Sequence, residues 1–180
     1  AMITLKLTMS SKISVANVNN LKDDQFEALF GNVIELCADA AKYANSARPF
    51  GNVEDICNAF HRYLDDLSFE DKLTILKLHP DLAGRLAAQG ELTKESANEQ
   101  RSAGLNDITA DQKNIIDQSN KRYKTKFGFP FIICARENKV QSIISGLQNR
   151  YKNSTEEEIN TGINEVKKIC KLRILDIVNE

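Results

Sequence analysis

Only 3 prolines and 8 glycines punctuate 180 residues. These residue types are the strongest local terminators of regular structure, so a chain this poor in them does not make the many turns of a β-sandwich or barrel. Long stretches remain between the breaks, and apolar residues recur in them at helical spacing. Ile56, Ala59, Phe60, Tyr63 and Leu64 fall on one face of a helix expected over residues 53–67. The expected fold is all-α, a single-domain bundle of about eight helices over residues 19–180. Residues 1–18 show no strong helical period and are expected to form a loose or partly strand-like lead.

Capping signals divide the rest. Asn20 is expected to cap a helix carrying Phe26, Leu29 and Phe30, and a second helix is expected over 33–43. Arg48-Pro49-Phe50-Gly51 breaks the pattern. Ser68, Thr93, Thr109 with Gln112, and Ser154 with Glu157 mark four further helix starts. Pro80 is expected to open another, because its missing N–H costs nothing in a first turn. The apolar run Phe127-Gly128-Phe129-Pro130-Phe131-Ile132-Ile133-Cys134-Ala135 reads as a buried connector. A helix is expected over 138–151. The last, to about Val178, begins acidic at Glu156, Glu157 and Glu158 and turns basic at Lys167, Lys168, Lys171 and Arg173, in the sense of the helix dipole.

The charge balance removes several functions. A formal net charge of -1 supplies no global field toward nucleic acid or an anionic membrane. The basic cluster Lys121, Arg122, Lys124 and Lys126 reads as a solvated face, so no nucleic-acid partner is expected. No apolar stretch approaches the length of a membrane span, and no membrane association is expected. Cys37, Cys57, Cys134 and Cys170 form no CxxC pair and have apolar neighbours, which suits reduced buried thiols. His61 and His79, the two histidines, lack metal-ligand spacing, so no metal is expected.

Chemistry concentrates around His79, in Leu78-His79-Pro80-Asp81-Leu82-Ala83-Gly84. At a helix junction next to a rigid proline, its ring has a fixed direction. A helix N-terminus there would lower its pKa and leave a neutral imidazole able to take or give a proton. Ser96, Glu99 and Gln100 stand at i, i+3 and i+4 and share one helix face. Arg173, among apolar positions of the last helix, is either a snorkelling surface residue or an anchor for a carboxylate or urea oxygen.

The chain resembles the family of 2-oxo-4-hydroxy-4-carboxy-5-ureidoimidazoline (OHCU) decarboxylases. The resemblance rests on five stretches in order. They are Arg48-Pro49-Phe50; His79 to Gly84; Ser96 to Gln100 with Ala103-Gly104-Leu105; Phe127 to Arg136; and Glu165-Val166-Lys167-Lys168-Ile169 with Leu172-Arg173. It implies an all-α fold, a homodimer, no cofactor, and a small ureidoimidazoline substrate decarboxylated to (S)-allantoin in urate degradation. It implies that His79 is catalytic; Glu99 is expected to share the catalytic role by orienting the imidazole through a hydrogen bond. Substrate contacts are implied from Pro80, Ser96, Ala97, Asn98, Glu99, Gln100, the backbone of Phe131, Ile132, Ile133, Cys134 and Ala135, and Arg173. The expected compartment is cytoplasmic or peroxisomal, although the last residues are not Ser-Lys-Leu. A helical module that binds a ureide without turning it over remains the alternative.

Overall fold

The computed structural model describes residues 11–180 and contains ten α-helices among them. They are α1 (Val15–Asn20), α2 (Asp23–Leu29), α3 (Ala38–Asn45), α4 (Val53–Asp65), α5 (Phe69–Lys77), α6 (Arg85–Gln89), α7 (Lys94–Ser102), α8 (Ala110–Phe127), α9 (Val140–Arg150) and α10 (Thr155–Ile177). Eight of the ten have seven or more residues, and no strand is found among the described residues. The all-α expectation holds.

The helix starts follow their caps. Ser68 Oγ accepts from Asp71 N at 3.1 Å, Thr93 Oγ1 from Ser96 N at 3.2 Å and Ser154 Oγ from Glu157 N at 3.1 Å. Thr109 and Gln112 exchange both bonds of a capping box, at 3.0 and 3.1 Å. Each bond satisfies an amide that the first turn leaves without a partner.

Two helix starts differ from expectation. Asn20 closes α1, and α2 is instead capped through Lys22 N, which donates to Gln25 Oε1 at 3.0 Å. Pro80 opens no helix: the chain makes a turn through Ala83, whose φ is 51°, and α6 begins only at Arg85. The second expected helix starts later, at Ala38, after a turn through Leu36 with φ of 53°.

Residues 1–10 of the expected lead lie outside the described residues. Its remainder is part of the packed unit. Val18 in α1 is fully buried, and Ile13 pairs in parallel with Val178, its N–H reaching Ile177 O at 2.9 Å.

α10 is the axis of the bundle, packed against α4 and α5. Ile159, Ile163, Val166, Ile169, Cys170 and Ile174 bury one side of it. The connector after α8 is buried as expected, with Phe129, Phe131, Ile132 and Cys134 all in the core. It lies close to α9: a Cβ at Gly146 would meet Phe131 Cζ at 3.1 Å.

Candidate active site

The loop after α5 brings His79 to a cleft between that loop, α7, α10 and the connector. His79, Pro80, Leu82, Ser96, Glu99, Gln100, Phe131, Ile132, Ile133, Ala135, Ile169 and Arg173 line it. The loop is pinned from two helices. Gln100 on α7 accepts from Ala83 N at 3.0 Å and donates to Asp81 O at 3.3 Å. On α8, Asn120 Nδ2 donates to Leu82 O at 3.0 Å and Lys113 Nζ to Ala83 O at 2.8 Å. The turn is also sterically tight, since a Cβ on Gly84 would lie 2.7 Å from Asp81 Cβ.

His79 is 9% exposed. Its Nδ1 lies 3.1 Å from Ile75 O, and a carbonyl can only accept, so Nδ1 carries the proton of the neutral ring. Nε2 is then a lone-pair acceptor, buried and without a hydrogen-bond partner among the described residues. Burial pushes the ring's pKa down to about 4. The Ile75 carbonyl and the Glu35 carboxylate oppose that shift, and the Arg173 charge adds to it. The neutral imidazole expected from the sequence is therefore present for a different reason. His79 follows the C-terminal end of α5 rather than heading a helix, and desolvation does what a helix N-terminus was expected to do.

Glu99 is not bonded to His79, contrary to the hydrogen bond expected from the sequence. Its carboxylate is gripped bidentately by Arg173, with Nε to Oε2 at 2.7 Å and Nη2 to Oε1 at 2.6 Å. Arg173 is 3% exposed and so does not snorkel, and the carboxylate it grips is the protein's own Glu99. Its Nη1 also donates to Asn32 O at 2.8 Å and Glu35 Oε1 at 3.4 Å, and Nη2 to Ser96 Oγ at 3.3 Å. All five guanidinium N–H groups thus have protein acceptors.

Glu35 is the site residue that the sequence reading missed. It sits within Val33-Ile34-Glu35-Leu36-Cys37 and is 1% exposed. Burial alone would raise its pKa, but hydrogen bonds from Ser96, Thr93 and Asn32 and the Arg173 charge hold it below the ordinary carboxylate value. An acid embedded in an apolar run was the available signal. Leu82 and Ile169 were missed as well, as apolar wall.

Three of the expected contact residues lie off the cleft wall. Asn98 is exposed and accepts from Arg101 Nη1 at 2.9 Å, and the Ala97 amide is spent inside α7 on Thr93 O at 2.9 Å. Cys134 N donates to Glu165 Oε1 at 3.2 Å, which turns it toward α10. Helix geometry explains the first two: positions one and two before Glu99 project away from its face. Ile132 O is held by Arg150 Nη1 at 2.6 Å, whereas no described residue accepts from the amides of Ile132, Ile133 or Ala135.

The cleft is narrow. About 30 Å³ of it can hold a water-sized sphere, the scale of a water molecule or two. A wider hollow of about 470 Å³ adjoins it across the Glu99–Arg173 pair, which lines both. Among the described residues, no group of three or more His, Cys, Asp or Glu could hold a metal ion. No described helix is long and apolar enough to cross a membrane.

Fold and cleft together define a helical small-molecule site built around a buried neutral imidazole and a buried arginine–carboxylate network. Residues 19–175 match the OHCU decarboxylase family model, and the chain belongs to that family. It is 42% identical over 160 residues to 2-oxo-4-hydroxy-4-carboxy-5-ureidoimidazoline decarboxylase of Xenopus laevis, covering 89% of this chain and 91% of that one. Among solved structures it resembles (S)-allantoin synthase, with a TM-score of 0.73 at 18% identity over 93% of this chain and 54% of that one. It also resembles an OHCU decarboxylase crystallised with (S)-allantoin, with a TM-score of 0.65 at 23% identity over 86% of this chain and 96% of the other.

Proposed function

We propose that this chain decarboxylates 2-oxo-4-hydroxy-4-carboxy-5-ureidoimidazoline to (S)-allantoin in urate degradation. The observation that carries the reading is His79 Nε2, a buried, unprotonated and unpartnered acceptor on the wall of the cleft. The family match supports the reaction class.

The substrate carries its own electron sink. When the C–CO₂⁻ bond breaks, the electron pair stays on the ring carbon and spreads into the adjacent C=N. The carboxylate leaves as CO₂ and one proton is consumed overall. His79 accepts a hydrogen bond or proton from the 4-hydroxyl and returns a proton to the ring from its own side, work for which a general acid–base group supplies about 10² to 10⁴ in rate. The connector amides that no described residue accepts from are the donors for the carbonyl oxygens, which gives those N–H groups partners. Glu99 and Arg173 enclose the polar end. In this mechanism Glu99 meets the substrate rather than orienting the imidazole, a task that Ile75 O performs.

The active unit is proposed to be a homodimer, on the family resemblance; light scattering after gel filtration tests it. For the reaction, urate oxidase and hydroxyisourate hydrolase generate the unstable substrate from urate, and circular dichroism follows the product. Rapid growth of a single enantiomer on adding this protein supports the proposal. A slow drift matching the blank refutes it.

A further inference from the structure

Glu35 makes no contact with the cleft, yet it controls what one wall of the cleft can recognise. Its two oxygens are unequal. Oε1 accepts three donors: Asn32 Nδ2 at 3.0 Å, Thr93 Oγ1 at 2.7 Å and Arg173 Nη1 at 3.4 Å. Oε2 accepts one, the hydroxyl of Ser96. A serine hydroxyl has one proton and two lone pairs. The proton of Ser96 is committed to Glu35, and one lone pair accepts from Arg173 Nη2 at 3.3 Å. What remains on Ser96, a lining residue of the cleft, is a single lone pair.

We infer that Glu35 is a positioning residue that turns Ser96 into an obligate acceptor, so that the cleft selects a ligand N–H at this point and rejects a carbonyl or ether oxygen. The inference rests on the ureide reading of the site and deepens it: the group Ser96 meets is a ureido N–H. Rejection of the wrong polarity is strong in such a setting, because two acceptors facing each other leave both buried and unpaired.

Glu35→Gln separates this role from mere support. The amide oxygen must take the Oε1 place, where three donors converge, which puts the amide NH₂ against Ser96 Oγ. The NH₂ donates, the Ser96 proton is released toward the cleft, and the wall changes polarity without changing shape. The expected result is a KM raised about tenfold or more with kcat within about threefold, matching the loss of one buried hydrogen bond. Ser96→Ala raises KM similarly, and the double variant loses no more than either single one, because both remove the same lone pair. A Glu35→Gln protein with unchanged KM, or losses that simply add, overturns the inference.

Should Glu35→Gln fail to fold, wild type and Ser96→Ala are titrated calorimetrically with allantoin and with an analogue methylated on its ureido nitrogens. Methylation weakens wild-type binding about tenfold and leaves Ser96→Ala almost unaffected if Ser96 is the acceptor. Equal weakening of both proteins refutes the assignment. A wild type that neither turns over nor binds allantoin removes the ureide reading itself, and the inference with it. A working wild type with a silent Glu35→Gln effect removes the inference alone.

Discussion

The carboxylate of Glu99 lies along the Nε–Nη2 edge of Arg173, with contacts of 2.7 and 2.6 Å, and the pair closes one end of the cleft that His79 lines. A lysine cannot reproduce that edge, since an ammonium is a point charge and the guanidinium is a flat fork. Arg173→Lys is expected to cost about 2 kcal/mol of stability, the scale of losing charge-assisted hydrogen bonds, and to raise KM. Urea unfolding and steady-state kinetics check both. Unchanged KM would remove Arg173 from substrate binding.

Among the described residues lining the cleft, His79 supplies the only proton-handling nitrogen. His79→Asn keeps a polar group of similar reach but cannot take up a proton at neutral pH. Formation of one allantoin enantiomer should slow by about 10² to 10⁴, while the far-ultraviolet spectrum remains that of a helical protein.

Acid should expose the burial of the same ring. Between its ordinary value near 6.5 and its folded value of about 4, the unfolded chain binds a proton at His79 and the native chain does not. Stability therefore rises with pH across that window and falls as pH drops through it, by about 3 kcal/mol in total. His61, half-buried with its Nε2 against Lys167 O, is lowered too and acts in the same sense. Denaturation midpoints measured from pH 7 to pH 4 should show the slope, and His79→Asn should flatten most of it. A His79→Asn slope equal to wild type would mean that the ring is not buried in solution.

The connector has no slack where it crosses α9. Gly146→Ala places a methyl carbon 3.1 Å from Phe131 Cζ, so the ring must move by a few tenths of an ångström. Overpacking of this kind costs about 1 to 3 kcal/mol. Because Phe131 and Ile132 line the cleft, activity should fall along with thermal stability. A variant of normal stability and full activity would show that the connector is softer than its packing implies.

The parts of this molecule that were legible in the sequence are those set by neighbours along the chain. Ser68, Thr93, Thr109 and Ser154 cap helices because a side chain reaching three residues onward is a local event. His79, Ser96, Glu99 and Arg173 could be singled out by residue type and spacing. Their partners could not. Arg173 meets Glu35 across 138 residues and Glu99 across 74, and nothing in either local pattern ranks Glu99 with arginine above Glu99 with histidine. Pro80 misled for a related reason. Proline suits a first helical turn, but Gln100, Lys113 and Asn120 bind the following backbone as a turn, and tertiary hydrogen bonds outweighed a local preference.

The narrowness of the cleft sets a timescale. A space for a water or two cannot receive a ureidoimidazoline until its walls part. The loop at 80–84 and the connector have their own backbone groups held by side chains of α7, α8 and α9, whereas the Glu99–Arg173 side is closed by the two side chains themselves, with Arg173 tied to Asn32 O, and backs onto the wider hollow. Entry therefore waits on side-chain rearrangement. Binding that requires such a change associates more slowly than bare encounter allows.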